Sequence, residues 1–224
     1  MSNVDPGDTL WDGMRAAFPV AAPTLALGVS FGLVAKPVMG TVAPIAMSIL
    51  IFSGSAQFAA LSVLQGGGAA AAAVGAGLLM NVRWLPMSFA LAPSLQGSTQ
   101  RRTLESQAIV DASFVIASRP DGRFEPRPLV GATLLQASAW TAGTVIGTLG
   151  SGFIGNPDQF GLDAVFPAFY LSLLVASLRQ RRDRNAFVAV ALAAFIAASL
   201  LPFAPPGLPI TASSVAALVG LRNS

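Results

Sequence analysis

The chain of 224 residues carries 23 charges, 13 Lys and Arg against 10 Asp and Glu, so 10% of its positions are charged where soluble domains average about 25%. Uncharged intervals of 46 residues (Pro37 to Val82), 30 (Pro128 to Pro157) and 37 (Asn185 to Leu221) exceed the ~20 apolar residues that cross a bilayer, which excludes a soluble fold. With no cysteine and no histidine, disulfides, thiolate sites, most zinc sites and serine-histidine dyads are also excluded, and no cofactor is called for.

Residues 1–15 hold Asp5, Asp8 and Asp12 ahead of Arg15 and lack the basic start of a cleavable signal peptide, so the first span, Ala16 to Val34, is expected to be retained. A turn from Lys36-Pro37 to Gly40 leads to a second span, Thr41 to Leu64, and Gly66-Gly67-Gly68 leads to a third, Ala69 to Leu91. Four more follow: Leu129 to Phe153, Asp163 to Leu178, Asn185 to Phe203 and Pro206 to Leu221. The predicted fold is an all-α polytopic membrane protein, one transport domain over 1–224 with about seven transmembrane helices.

The alternate loops separate the basic residues sharply. One set holds Lys36, Arg101, Arg102, Arg119, Arg123, Arg127, Arg179, Arg181, Arg182, Arg184 and Arg222, while the other holds only Arg15. Such clusters between apolar segments, without interleaved aromatics, are topology signals rather than a nucleic-acid surface. The positive-inside rule then predicts an N-terminus outside and a C-terminus in the cytoplasm of a bacterial inner membrane. Glu105 to Ser118 is too short to span and is flanked by basic residues on both sides, which predicts a re-entrant or interfacial helix. It divides the chain into 16–91 and 129–221, whose opposite starting sides describe an inverted repeat, although no residue-level repeat joins the halves.

Polar groups in hydrocarbon are costly, so those left inside the spans are the candidate site. In Phe52-Ser53-Gly54-Ser55-Ala56-Gln57-Phe58, three small residues lower helix propensity and Gln57 adds an amide. A helix broken here aims free N-H groups at an anion such as an amino-acid carboxylate, whereas intact small residues would only let helices pack closely. In Asn81-Val82-Arg83-Trp84-Leu85-Pro86, Arg83 sits at a depth that costs about 2.5–3.5 kcal/mol and needs a partner, and Pro86 makes the backbone irregular; a structural or gating ion pair is the expected role. Asp111, among apolar neighbours, suits a proton relay or an ammonium ligand, or is the partner Arg83 requires. Asp163, with Pro167, fits a helix cap. The fourfold spacing of Gly28/Gly32 and Gly143/Gly147 is helix-packing geometry.

Taken in order, Phe31-Gly32, the Phe52 to Phe58 stretch, Asn81-Val82-Arg83, Asp111, Gly143-Thr144-Val145-Ile146-Gly147 and Phe166-Pro167-Ala168-Phe169 ending in Arg179 to Arg184 resemble the AzlC family along nearly the whole chain. Ala112 departs from it where an acidic residue is frequent, leaving Asp111 as the sole carboxylate there, and Trp84 stands where an aromatic or histidine is common. The resemblance implies export of valine, leucine, isoleucine or methionine, driven by protons, in complex with a small AzlD-type membrane subunit. On that reading Ser53, Gly54, Ser55, Gln57 and Asp111 bind substrate, and Asn81 with Arg83 forms the ion-pair or gating site. Two other classes compete: a non-catalytic scaffold or channel subunit, and an intramembrane aspartyl protease using Asp111 and Asp163.

Overall fold

A computed structural model describes residues 9–119, 123–154 and 184–204, with isolated positions between 171 and 216. The expected spans Asp163 to Leu178 and Pro206 to Leu221, with Asp163 and Pro167, lie outside these residues. The described helices are α1 (Leu10–Met39), α2 (Val42–Leu50), α3 (Gly54–Gln65), α4 (Ala70–Asn81), α5 (Trp84–Leu91), α6 (Thr99–Ser106), α7 (Asp111–Ala117), α8 (Pro126–Ile154) and α9 (Arg184–Leu200), with a short 3-10 turn at Ala92–Ser94. Among them α1 and α8 are each long and apolar enough to cross a membrane, and α4 with α5 carries the apolar length of a third. The expected spans Thr41 to Leu64 and Ala69 to Leu91 are both broken helices.

Two compact units divide the chain, 1–53 with 84–155, and 54–83 with 156–224. The first is built on α1 and α8. Thr9 and Asp12 form a reciprocal capping box that starts α1, and Gly40, at φ 73, closes it with an N-H bond to the Lys36 carbonyl. Glycines let the two backbones touch: a methyl added at Gly13 would overlap the Pro128 carbonyl, at Gly28 that of Trp140, and at Gly32 that of Thr144. Gly143 and Gly147 meet Leu25 and Val29 in the same way, so the fourfold glycine spacing is packing geometry as expected.

These pairings rise together along both chains, so α1 and α8 run parallel and start at one end. Arg15 and the Arg101 to Arg127 loop therefore stand at one end, where charge counting set them on opposite sides. Three crossings before Leu129 would have made the two helices antiparallel, whereas parallel packing requires an even number between their starts. The count had treated each apolar interval as one crossing, and two of those intervals are broken. α1 and α8 do not show the inverted relation expected between the first and fourth spans.

α2 turns back along α8, where Ser48 Oγ lies 2.9 Å from Thr144 Oγ1 and accepts a hydrogen bond from Trp140 Nε1 at 3.2 Å. Its nine residues rise about 14 Å, roughly half the hydrocarbon thickness, and they stop beside the middle of α8. At the starting end of α8, Leu91, Ala108, Ile109, Ala117 and Leu129 form an apolar cluster. The Phe124 N-H donates to Ser94 Oγ at 3.1 Å, so the chain leaves and returns at one place between these residues. The single helix expected over 105–118 is instead α6 and α7, separated by 107–110. Buried Ser113 Oγ bonds the Ala108 and Val110 carbonyls, and Thr133 Oγ1 donates to Ala108 from α8, so side chains satisfy the open backbone.

In the second unit α3 and α4 form a hairpin across Gly66–Gly68. Gly67 at φ 78 makes the turn, and the Gly68 N-H donates to the Val63 carbonyl at 2.9 Å. Glycine at 77 brings α4 to 3.5 Å from the Ala56 carbonyl of α3, measured from where a methyl would stand.

Candidate functional site

The break expected in the Phe52 to Phe58 stretch is present. α2 stops at Leu50, Phe52 adopts φ 35, and α3 begins at Gly54. A positive φ on an aromatic residue costs on the order of 1–3 kcal/mol and persists only where the surroundings impose it. The residues that follow are buried although polar: Ser53 and Ser55 are 3% exposed and Gln57 is fully buried. Ser55 Oγ has no hydrogen-bond partner among the described residues. Since the first N-H groups of a helix have no partner within it, the start of α3 combines backbone donors, a hydroxyl and an amide away from water.

The hairpin adds the second motif. Ala56 lies in the first turn of α3 and faces Gly77, which lies one turn before Asn81, the last residue of α4. The Asn81-Val82-Arg83 motif is therefore held at the same end of the hairpin as Gly54, Ser55 and Gln57. α4 presents there its unsatisfied carbonyls, the negative end of its dipole, beside the positive end of α3. Arg83 and Asn81 are half-buried, and Arg83 Nη1 donates to the Met80 carbonyl at 3.3 Å. The irregular backbone expected near Pro86 is the Val82-Arg83 gap between α4 and α5; Pro86 has no N-H and its ring opposes the Val82 carbonyl, which prevents one continuous helix.

Asp111 belongs to the other unit. It opens α7 directly after buried Ile109 and Val110 and is itself half-buried, rather than standing at a helix centre as the sequence implied. The hairpin end thus unites Gly54, Ser55, Gln57, Asn81 and Arg83, with Ser53 next to them in the chain, whereas Asp111 is positioned by α7 and α8. The juxtaposition of the two motifs is not evident from hydropathy. Its signal was the near-equal length of the segments flanking Gly66-Gly67-Gly68, which brings residues about equidistant from the turn together. Ser48, Gln136, Thr144 and Thr148 are further buried polar residues, within α2 and α8, that the sequence pattern does not single out.

A family model described as AzlC protein matches residues 19–154, which is 136 of the 224 residues and more than half of the chain. The chain belongs to the AzlC family. The match contains both motifs of the hairpin end, Asp111 and all of α8. The branched-chain amino acid transport protein AzlC of Bacillus subtilis is 27% identical over 206 residues, 87% of this chain and 78% of that one. An uncharacterized membrane protein of Archaeoglobus fulgidus is 29% identical over 188 residues, covering 81% and 82%. One from Helicobacter pylori is 25% identical over 175 residues, covering 75% and 76%. No solved structure matches. This AzlC-family chain is a membrane protein, in keeping with its relatives and with the apolar length of α1 and α8.

Proposed function

We propose that this AzlC-family chain is a secondary transporter that exports branched-chain or other neutral amino acids, coupled to protons and working with a small AzlD-type membrane subunit. The observation that carries the reading is the hairpin end, where the donor end of α3 and the acceptor end of α4 lie side by side with Ser55, Gln57, Asn81 and Arg83. That pairing of charges complements a zwitterion: α3 N-H groups and Arg83 attract a carboxylate, and α4 carbonyls with the Asn81 amide attract an ammonium. The name of the Bacillus subtilis relative supplies the substrate class.

Asp111 serves as a proton carrier, the role expected of a carboxylate among apolar neighbours in a chain without histidine. An apolar pocket separates substrates differing by one methylene by only ~1–3 kcal/mol, so valine, leucine and isoleucine should compete with one another. The shared end of α1 and α8 gathers Arg15, Arg101, Arg102 and Arg127, and the positive-inside rule assigns that end, with the N-terminus, to the cytoplasm.

Proteoliposomes holding the chain, with and without the small subunit, test the reading by counterflow of labelled leucine under an imposed pH gradient. Saturable counterflow that Gln57→Ala and Asp111→Asn each abolish, with protein levels unchanged, is expected. Normal flux in both variants refutes the site, and flux without saturation favours a channel.

A further inference from the structure

At the shared start of α1 and α8 an open cleft of about 830 Å³ is lined by Trp11, Ser98, Arg101, Leu104, Glu105 and Arg127, among others. It lies in the first unit and shares no residue with the hairpin end. Its charges are mixed but mostly positive. Glu105 Oε1 accepts from Arg101 Nε at 2.8 Å, which fixes the guanidinium and leaves its two Nη groups for another acceptor. Arg127 is exposed and has no hydrogen bond or ion pair among the described residues. Arg15 stands at the rim, 5.4 Å from the ring centre of Trp11. Asp12 is engaged by the α1 cap.

The rim is apolar where a soluble protein would be polar. Trp11 is 58% exposed, and Leu104, in an otherwise polar helix, is 73% exposed. α1 has 30 residues and is about 45 Å long, so it overshoots a ~30 Å hydrocarbon core and sets its first turns at headgroup depth. Exposed tryptophan and leucine beside arginine at that depth match a ligand with an anionic head and an apolar tail. We propose that the cleft seats the phosphate of an anionic phospholipid between Arg101 and Arg127, with its acyl chains against Trp11 and Leu104.

Native mass spectrometry of the full chain in detergent tests this, with phosphatidylglycerol and phosphatidylcholine offered at equal concentration. The wild-type chain should retain phosphatidylglycerol preferentially. The R101Q/R127Q variant should lose about thirtyfold of that preference, roughly fivefold per arginine, while phosphatidylcholine retention and the gel-filtration profile stay unchanged. R127Q alone, which removes an unpaired exposed side chain, covers the case in which the double variant misfolds and should lose about fivefold. Arg102→Gln, on α6 but outside the cleft, should have no effect. The proposal is overturned if R101Q/R127Q, or R127Q where the double variant misfolds, keeps the preference. It is equally overturned if Arg102→Gln reduces it as much, which would mean general surface charge, or if glycerol 3-phosphate displaces the lipid at equal concentration, which would mean a soluble anion.

Discussion

Replacing Gly147 by alanine tests the parallel contact of α1 and α8 on which the orientation rests. A methyl at this position overlaps the Val29 carbonyl oxygen and stands 2.9 Å from its carbon and 3.0 Å from the Leu33 nitrogen, all backbone atoms that cannot rotate away. The helices must separate, at the ~1–3 kcal/mol typical of an overpacked interior. Alanine recovers about 1 kcal/mol of helix propensity, so the net change runs from neutral to about 2 kcal/mol destabilising. Gly150, three residues further along α8, has nothing within 4 Å, and alanine there should stabilise by up to ~1 kcal/mol. Thermal melts of both variants in one detergent should place Gly147→Ala below Gly150→Ala by the equivalent of about 1–3 kcal/mol. Equal shifts, or a more stable Gly147→Ala, would refute the contact. An antiparallel pair would set Gly147 near the start of α1 rather than beside Val29.

Three further outcomes are expected. Because the chain has no cysteine, single cysteines at Thr9, Gln100 and Lys36 can be labelled with a membrane-impermeant maleimide without background; Thr9→Cys and Gln100→Cys should react from one side and Lys36→Cys from the other. Opposite sidedness of Thr9 and Gln100 would exclude the shared end. Ser48→Ala removes the buried acceptor of the Trp140 Nε1 hydrogen bond and the hydroxyl beside Thr144 Oγ1, and should lower stability by about 1–3 kcal/mol in the same melts. Adding Trp140→Tyr or Trp140→Phe to a chain already lacking Ser48 should then cost less than it does alone. Gln57→Leu keeps the volume but not the amide, so transport should fall at least tenfold while the melt stays near wild type; unchanged transport would make Gln57 a packing residue.

Much of the helical content was legible because a helix in lipid satisfies its own backbone, and apolar length therefore maps onto helix length. α1, α8 and α9 coincide with expected spans to within a few residues at most ends. The break at Phe52 was legible for the opposite reason, since Ser53, Gly54 and Ser55 together weaken a helix where nothing else does. What charge counting could not register is direction. A broken helix such as α2, ending beside mid-α8, contributes apolar residues without a complete crossing, and each one changes the parity on which an inside or outside assignment depends. Six glycines at the α1 and α8 contact, Gly13, Gly28, Gly32, Gly131, Gly143 and Gly147, carry the information that supplies it, yet their spacing alone fits parallel and antiparallel packing equally well.

The same limit explains the candidate site. Ser53 to Gln57 and Asn81 to Arg83 each stood out as polar residues in apolar surroundings, and hydropathy gave no reason to join them. Joining them requires knowing that α3 and α4 pair as a hairpin, and what sets that pairing is local: glycines that permit a tight turn, and a methyl-free Gly77 against Ala56. Once the pairing holds, opposite helix ends become neighbours, and on the proposed reading a motif that could attract only one charge becomes part of a pair that complements both charges of an amino acid. Arg83 then has a reason to be half-buried that an isolated ion pair does not supply. On the proposed reading it continues the donor side of a zwitterion site, and its bond to the Met80 carbonyl ties it to the end of α4. An arginine placed only to balance an acidic partner would tolerate lysine. One that shapes this end through a planar fork would not, and Arg83→Lys should therefore impair transport without lowering stability.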